Sequence, residues 1–330
     1  MRILVTGGAG FIASHVAEAY LAGGHEVAVV DDLSTGFREN LNPGIHFWQV
    51  DIRGTDLPRV VADFRPEMIN HHAAQMSVSA SVRDPRHDAD INILGTLSLL
   101  EAAVHNGVRR IIFASTGGAV YGDLVAVPTD ETTSPQPVSP YGVAKLAIER
   151  YLHAYQVMHG LRSIALRYSN VYGPRQSPHG EAGVVAIFSR AILEKRELTV
   201  NGDGEQTRDY IYVGDVVRAN MLASEMALSH DFLIVNIGTG VETSVNGMLG
   251  LFREIAGNDI AWRHGPARPG EQRRSVLNAA LAERAVGWKA STDLKTGLAQ
   301  TFEWFAAKGR RGESEKGEET GKKRNGETAS

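Results

Sequence analysis

The sequence contains no cysteine, although the chain runs to 330 residues. Without cysteine a chain forms no disulfides and holds no metal through thiolates, and this composition suits a reducing cytoplasm. Any redox chemistry therefore needs a bound cofactor. At a formal net charge of -4, the chain also lacks the excess of basic residues that attracts nucleic acid or anionic membranes. We expect neither as a partner.

Long apolar runs are missing as well. No uninterrupted stretch of about eighteen apolar residues occurs, so no membrane span is expected. Residues 1–5 lead directly into a glycine-rich turn, and we therefore expect no secretory signal there. A hydrophobic content of 43% is nevertheless enough for a large buried core. The sequence predicts a soluble, cytoplasmic protein with one large domain or two smaller ones.

The first half of the chain alternates short apolar runs with longer helical patterns. The predicted strands are 3–5, 26–30, 46–50, 68–72, 110–114 and 161–166, and the predicted helices are 14–22, 55–64, 91–106 and 141–158. Strands that alternate with helices indicate a parallel sheet covered by helices on both faces. The expected fold is therefore α/β, a Rossmann-type doubly wound parallel sheet.

After about residue 168, turns that contain Gly and Pro divide the chain into short elements. This texture predicts a smaller α/β lobe for substrate binding. We expect a dinucleotide-binding domain over residues 1–168, with segments near 211–240 returning to it, and a substrate lobe over 169–307. Residues 308–330 are dominated by charged, Gly, Ser and Thr residues, which predicts a disordered tail.

A glycine-rich turn follows the first predicted strand, with the sequence Thr6-Gly7-Gly8-Ala9-Gly10-Phe11-Ile12. The spacing of Gly7 and Gly10 suits a strand-to-helix turn whose N–H groups approach a pyrophosphate. About twenty residues further on, Asp31 and Asp32 end the second strand, where a carboxylate accepts both ribose hydroxyls and repels a 2′-phosphate. This arrangement predicts NAD as the cofactor, with Asp31 as the ribose ligand and Asp32 as its neighbour.

Tyr141 and Lys145 lie four residues apart in a predicted helix, which places both on one face. A phenol with a pKa of about 10 is a poor base at neutral pH. One ammonium group at about 4 Å stabilises the phenolate by about 4 kcal/mol, and an oxidised nicotinamide adds a second positive charge. We therefore expect a proton-transfer pair that acts on an alcohol carbon. Ser115 and Thr116 end a strand upstream, and either hydroxyl can orient the substrate oxygen.

Together these motifs resemble the extended short-chain dehydrogenase/reductases, and within them the UDP-glucose 4-epimerases. The resemblance covers nearly all of residues 1–305. Besides the glycine-rich turn, it rests on Asp31-Asp32-Leu33-Ser34-Thr35-Gly36, His72-Ala73-Ala74-Gln75, Val120-Tyr121-Gly122, Ser139-Pro140-Tyr141, Leu166-Arg167-Tyr168-Ser169-Asn170-Val171-Tyr172-Gly173-Pro174-Arg175, Gly202-Asp203-Gly204, Arg208-Asp209-Tyr210 and Arg268-Pro269-Gly270-Glu271.

The resemblance implies a set of site residues. Those implied for NAD are Gly7, Gly10, Phe11, Ile12, Asp31, Asp32, Ser34, Thr35, Gly36, Asp51, Ile52, Ala73, Gln75, Asn92, Tyr141, Lys145 and Ser169. Those implied for the nucleotide sugar are Thr116, Asn170, Arg208, Arg268, Glu271 and Ser275. Tyr141, Lys145 and Thr116 are the implied catalytic residues. Thr116 is preferred because its separation from Tyr141 matches the family's spacing, and Ser115 is the alternative.

The activity that the resemblance implies is that of a UDP-hexose 4-epimerase, which interconverts UDP-glucose and UDP-galactose through a 4-keto intermediate with tightly bound NAD. The small Ser275 predicts room for UDP-GlcNAc and UDP-GalNAc as well. A nucleotide-sugar 4,6-dehydratase is a weaker alternative, because dehydratases carry an Asp-Glu pair where this chain has Gly117 and Gly118. A UDP-glucuronate epimerase or decarboxylase and a non-catalytic NAD-sensing protein are further alternatives.

Two expectations concern metal and assembly. His71 and His72 are neighbours in a predicted strand and point to opposite faces, so we expect no metal site. The predicted helices 91–106 and 141–158 carry more apolar residues than one buried stripe needs. The resemblance implies that these two helices form a homodimer contact.

Overall fold

The computed structural model describes residues 1–122, 126–178, 183–226, 231–257, 259–267 and 272–308. Its strands, in chain order, are β1 (Arg2–Thr6), β2 (Glu26–Asp31), β3 (His46–Gln49), β4 (Met68–His71), β5 (Arg110–Thr116), β6 (Arg162–Tyr168), β7 (Asn170–Tyr172), β8 (Leu198–Asn201), β9 (Thr207–Tyr212), β10 (Phe232–Ile237), β11 (Glu242–Ser244), β12 (Trp262–Gly265) and β13 (Arg274–Ser275). Its helices are α1 (Phe11–Ala22), α2 (Leu57–Phe64), α3 (Val78–Arg83), α4 (Pro85–Ala89), α5 (Thr96–His105), α6 (Gly117–Val120), α7 (Pro140–His159), α8 (Val184–Leu193), α9 (Val213–Glu225), α10 (Val245–Ala256), α11 (Ala280–Val286) and α12 (294–308).

Seven parallel strands form the central sheet, in the order β10-β6-β5-β4-β1-β2-β3. The strand order reverses between β1 and β4, and such a switch point opens a crevice at the carboxyl ends of the strands. The predicted Rossmann-type α/β fold is confirmed. Every strand-end residue that the sequence proposed for the site lies along this edge of the sheet.

The strands are apolar because helices cover both faces of the sheet. In β1, Ile3 and Val5 pack into the layer that contains α1 and α9, while Leu4 between them packs into the layer that contains α2, α5 and α7. This alternation follows from the two-residue period of a strand. The run Ile3 to Val5 is therefore buried on both faces of the sheet, which explains why all three residues are apolar.

The later part of the chain divides its elements between two regions. β10 pairs in parallel with β6 at the edge of the central sheet, and α9 packs beside α1. β7, β9, β11 and β13 form a second sheet, and β8 pairs with β12. Phe188, Met248 and Phe252 belong to a separate apolar core beneath these elements. Our division into a domain over residues 1–168 and a lobe over 169–307 remains a proposal.

The helical region that ends with α5 begins earlier than the predicted helix 91–106. α4 begins at Pro85, where the Asp84 side chain accepts a hydrogen bond from the His87 backbone N–H as a cap. A π-helical segment, Asp90–Gly95, then joins α4 to α5. A π turn contains more residues than an α turn and shifts the spacing of the buried side chains. A search for a period of 3.6 residues therefore did not predict the helical start at Pro85. Lys308 is the last described residue of α12, and residues 309–330 of the expected tail lie outside the described residues.

Candidate active site

The turn between β1 and α1 is packed so tightly that it requires glycine. Gly7 has a φ of +67°, and a Cβ atom there would lie 2.6 Å from the Ala73 backbone nitrogen. Gly10 is the N-cap residue of α1 and supplies no side-chain hydrogen bond to the helix. The first N–H groups of α1 therefore lack a side-chain cap and point out of the helix end, where an anion is favoured.

Asp31 ties the end of β2 to this turn. Its carboxylate accepts hydrogen bonds from the backbone N–H groups of Ala9, at 2.9 Å, and Leu33, at 2.8 Å. Burial raises the pKa of Asp31, and these two N–H groups partly offset that rise. A carboxylate has about four acceptor positions, so two remain for ribose hydroxyls. The neighbouring Asp32 instead accepts from the backbone N–H and the hydroxyl of Ser34 and shapes the loop.

The loop that contains Ser34, Thr35 and Gly36 covers the glycine-rich turn. A Cβ atom at Gly36 would lie 2.9 Å from the Ala9 carbonyl carbon, so the two backbones are in close contact. Beyond β3, Asp51 accepts from the Arg53 guanidinium, which lowers the pKa of Asp51. Ile52 beside it is buried. Residues 34–36 and 51–52 thus lie near the ends of β2 and β3, on the adenosine side of the proposed cofactor site.

The loop after β4 is held by two side chains of the helical segment that follows it. Asn92 accepts a hydrogen bond from the Gln75 backbone N–H at 2.9 Å and donates one to the Gln75 carbonyl at 3.0 Å. Asp88 accepts from the side chains of Gln75 and Asn92. Ala73 donates from its backbone N–H to the Thr6 hydroxyl. Asn92 therefore supports the site by fixing the backbone of residue 75.

Two buried polar atoms at the carboxyl edge of the sheet have no hydrogen-bond partner within the described ranges. They are the Ser169 hydroxyl, after β6, and His72 Nδ1, after β4. Burying an unpaired polar group costs about 1–3 kcal/mol, and a ligand that hydrogen-bonds to these two atoms would remove that cost. Together with the uncapped α1 terminus and Asp31, they fit a dinucleotide that lies across the crevice.

Tyr141 and Lys145 lie in the first turns of α7. The helix begins cleanly because the Ser139 hydroxyl caps the Gly142 N–H at 3.1 Å and Pro140 occupies the first helical position. The Lys145 ammonium donates to the Ala114 carbonyl at 2.8 Å. It lies 5.8 Å from the centre of the Tyr141 ring. The predicted pair is therefore brought to the end of β5.

Desolvation is the largest influence on the pKa values of Tyr141 and Lys145 in the protein alone. Burial lowers the pKa of Lys145 to about 8, and the negative charges of Asp88 and Glu149 partly offset the fall. Desolvation by the surrounding protein, together with the Asp88 charge, raises the pKa of Tyr141. In the protein alone the pKa of Tyr141 is therefore raised, and the lowering expected from Lys145 together with an oxidised nicotinamide stays a prediction. The ammonium is directed to a carbonyl, and desolvation disfavours the phenolate.

The two strand-end hydroxyls have different partners. The Ser115 hydroxyl is buried and donates to Glu149 at 2.7 Å, and Glu149 also forms an ion pair with the buried Arg167 at 2.6 Å. The Thr116 hydroxyl accepts from the Ala119 N–H at 3.3 Å and caps α6. It donates to no group within the described part of the chain. Thr116 can therefore still donate to a substrate oxygen, whereas the Ser115 proton is already used.

Three residues predicted for the sugar converge around Gly118. The Cβ position of Gly118 lies 3.8 Å from the Ser275 hydroxyl oxygen and 3.9 Å from both Asn170 Oδ1 and Thr116 Oγ1. Asn170 begins β7, and Ser275 is the strand partner of Arg208 in the second sheet. The end of β5 and the second sheet therefore line a common space next to Gly118.

Arg208 lies beside Ser275 in β9, and one guanidinium nitrogen donates to the Thr207 carbonyl at 2.8 Å. The next residue, Asp209, is buried and accepts hydrogen bonds from Thr239, Gly240 and Leu277. These contacts hold the strand that carries Arg208 against the loop after β10. The predicted ligands Arg268 and Glu271 lie outside the described residues.

Sequence reasoning missed Glu149, Asp88 and the space at Gly118. Glu149 left a detectable signal, because it lies four residues after Lys145 and eight after Tyr141 on the same helical face. Asp88 left none, since its approach to the catalytic pair depends on the π-helical segment and on helix packing. Gly118 was noticed only as a residue without a proton-transfer group.

Over the ranges that the structure describes, no group of three or more His, Asp and Glu residues is arranged to hold a metal ion. The same ranges contain no helix with the length and apolar character needed to cross a membrane.

A doubly wound sheet with a dinucleotide turn and a Tyr-Lys pair at its carboxyl edge defines a short-chain dehydrogenase/reductase type of enzyme. Residues 3–238 match the NAD dependent epimerase/dehydratase family, and the chain belongs to that family. The resemblance stated from the sequence, the enzymatic character and the NAD cofactor are thereby confirmed.

Similar proteins extend the match along almost the whole chain. A UDP-glucose 4-epimerase of Mycolicibacterium smegmatis is 44% identical, over 93% of this chain and 99% of that protein. The crystal structure of a Thermotoga maritima UDP-glucose 4-epimerase with UDP-glucose is 48% identical, with a TM-score of 0.90 over 93% of this chain and 99% of that one. A Thermus thermophilus UDP-glucose 4-epimerase complex with NAD is 45% identical, with a TM-score of 0.88 and the same coverage.

Proposed function

We propose that this enzyme is a UDP-hexose 4-epimerase that interconverts UDP-glucose and UDP-galactose. The observation that carries the proposal is the space around Gly118, which Thr116, Asn170 and Ser275 line together. One wall of this space is the strand end next to Tyr141, and the other is the second sheet with Arg208. A substrate whose sugar alcohol lies at Thr116 can therefore place its nucleotide diphosphate at Arg208. The names of the similar proteins agree with this activity.

In the proposed mechanism, Tyr141 removes the proton of the sugar's 4′-hydroxyl and later returns it. NAD held by the α1 terminus and Asp31 would supply the acceptor and donor of the C4′ hydride and, when oxidised, a positive charge in the site. Thr116 donates a hydrogen bond to the same sugar oxygen and holds it near Tyr141. Lys145, whose pKa burial lowers to about 8, stays largely charged at neutral pH and favours the phenolate. The 4-keto sugar turns over between the two hydride transfers.

The second sheet would hold the rest of the substrate. Arg208 suits a pyrophosphate, because a guanidinium donates two parallel hydrogen bonds to it. Asn170 would bind beside it, and Arg268 and Glu271 stay proposed contacts to phosphate and nucleoside. Ser275 presents a small, buried side chain to the sugar space. We propose on this ground that N-acetylated UDP-hexosamines are substrates too.

Elimination chemistry, as in a 4,6-dehydratase, finds no support next to Thr116. Such a reaction needs an acid and a base at the sugar, and the two residues that follow Thr116 are Gly117 and Gly118. At Gly117 a Cβ atom would lie 2.5 Å from a Leu277 methyl group, so the backbone there is packed against a hydrophobic side chain. A UDP-glucuronate epimerase or decarboxylase would instead convert UDP-glucuronate into its 4-epimer or into a decarboxylated UDP-sugar.

We further propose a homodimer through helices 91–106 and 141–158, and a cytoplasmic location that suits a cysteine-free chain. Leu94 is 56% exposed, Val143 50% and Val157 68%. The helices that carry them pack side by side, and the Tyr155 hydroxyl on α7 donates to Glu101 on α5. A second copy would cover these apolar side chains.

The deciding experiment incubates dialysed protein, without added NAD, with UDP-galactose, UDP-N-acetylgalactosamine or UDP-glucuronate, and identifies the products by chromatography and mass spectrometry. We expect the 4-epimer of UDP-galactose. Tyr141→Phe should bind UDP as the parent does and lose about 10²–10⁴-fold in kcat. No turnover of any UDP-sugar by NAD-loaded protein would overturn the function, and near-normal turnover by Tyr141→Phe would overturn the mechanism.

A further inference from the structure

Gly118 has no structural reason to be glycine. Its φ lies outside the left-handed region, unlike that of Gly7, and it sits in the short helix α6. The nearest atoms to its Cβ position are 3.8 Å away, which is ordinary van der Waals contact. An alanine would therefore fit the protein. Gly117, by contrast, has no room for a side chain because of Leu277.

The three atoms nearest to this position outside the local backbone are all polar atoms of the candidate site. They are the hydroxyl oxygens of Thr116 and Ser275 and the amide oxygen of Asn170, which approach it from β5, β13 and β7. A methyl group here would not displace packed apolar atoms. It would occupy space in front of three hydrogen-bonding groups, which is where a sugar binds if Thr116 holds the 4′-oxygen.

We propose that Gly118 is a specificity-determining residue that keeps the hexose pocket wide enough for the sugar to bind and for its 4-keto form to rotate. The proposal rests on the epimerase function proposed above. A 4-keto sugar must present both faces to the same hydride donor, so the pocket must accept its ring substituents in two orientations. Gly118 leaves that space open, and Ser275 opposite it does the same with a small side chain.

The test is Gly118→Ala, because this substitution adds one methyl group at the position in question. One methylene of misfit in a binding pocket typically changes discrimination by about 10–200-fold. We expect kcat/KM to fall within that range for UDP-galactose, to fall less for UDP-xylose, which lacks the hydroxymethyl group, and to fall most for UDP-N-acetylgalactosamine. Calorimetry should show weaker binding of UDP-galactose and unchanged binding of UDP.

Gly250→Ala is the matched control. Gly250 lies in α10, is exposed, and has nothing within 4 Å of its Cβ position, so the change gains helix propensity without touching the site. Both variants should melt at or slightly above the parent's temperature. A loss that is equal for all three sugars, or unchanged binding and turnover of UDP-galactose by Gly118→Ala, would overturn the proposal.

The two proposals fail in different ways. A parent enzyme that turns over no UDP-sugar removes the epimerase function. In that case calorimetry still decides the role of Gly118. Weaker binding of UDP-galactose by Gly118→Ala, with unchanged binding of UDP, supports the role. Unchanged binding of both ligands refutes it. If the parent is active and Gly118→Ala has the same kcat/KM and the same affinities, only the role of Gly118 is refuted.

Discussion

At the scale of single residues, Ser115 and Thr116 are adjacent in sequence and differ in what their hydroxyls can do. Ser115 donates to the buried Glu149, while Thr116 faces the space around Gly118. We expect Thr116→Val to lower kcat by about 10²–10³-fold, the usual effect of losing a hydrogen-bond donor to a reacting oxygen, and Thr116→Ser to restore most of it. Steady-state kinetics of both variants checks this.

Ser115→Ala is the companion variant. It removes a donor from Glu149 and should lower the free energy of unfolding by about 1–3 kcal/mol, measured by urea denaturation. If Ser115→Ala lost turnover as Thr116→Val is expected to, and Thr116→Val kept it, the two roles would be reversed.

Lys145 gives a pH prediction that involves Asp88. Burial holds the pKa of Lys145 at about 8, and the carboxylates of Asp88 and Glu149 keep it from falling further. His71 and His72 are buried with lowered pKa values, so both are neutral in this range. Asp88→Asn removes one stabilising negative charge, so Lys145 should lose its proton at a lower pH.

The measurement is the pH profile of kcat/KM for Asp88→Asn beside the parent. We expect the decline on the alkaline side to move to lower pH, because the ammonium that favours the Tyr141 phenolate is lost sooner. Asparagine keeps an acceptor for the Gln75 and Asn92 amides, so the loop after β4 should stay in place. An unshifted profile, or a shift to higher pH, would contradict this electrostatic role.

At the scale of elements, α7 is bound to the sheet by a buried charge network. Glu149 forms two hydrogen bonds with Arg167 of β6, and Arg167 also donates to the Tyr121 hydroxyl. Glu149→Gln would leave Arg167 charged and only partly paired. Breaking one partner of a buried ion pair costs about 3–5 kcal/mol. We expect a loss of that size in the free energy of unfolding by urea denaturation.

The double variant Glu149→Leu with Arg167→Met serves as its control. Because apolar residues of similar volume often replace a buried pair without loss, it should recover most of the stability. A Glu149→Gln variant as stable as the parent would show that the network does not anchor α7.

Also at this scale, the apolar runs predicted the strands and helices of the central sheet well. The run 26–30 corresponds to β2 and the pattern 141–158 to α7. The strand is recognisable because both of its faces are buried, and the helix because one of its faces is. The start of α4 was missed because the π-helical segment Asp90–Gly95 changes the period, and α3 was missed because it spans only six residues.

At the scale of the whole molecule, the proposed dimer is the property most open to test. Leu94→Lys, in the π-helical segment before α5, and Val143→Lys, in α7, place a charge on exposed apolar side chains of the proposed interface and should convert a dimer into a monomer. Light scattering at micromolar concentration measures the mass. Val241→Lys is the control, since Val241 is 60% exposed and lies between β10 and β11, outside both helices of the proposed interface. A monomeric parent, or a control that also dissociates, would contradict the proposed interface.

The sequence by itself determined the fold class, the glycine-rich turn, the NAD-type Asp31 and the spacing of Tyr141 and Lys145, because each depends on residues close together in the chain. Only the tertiary structure showed that the Ser115 hydroxyl already donates to Glu149, since Glu149 lies on a helix that packs across from the strand end. It alone brought Asn170 and Ser275 to Gly118, because sequence-distant strands meet there. It alone showed that burial and Asp88 raise the pKa of the Tyr141 phenol in the protein without cofactor, since desolvation is a property of the packed site.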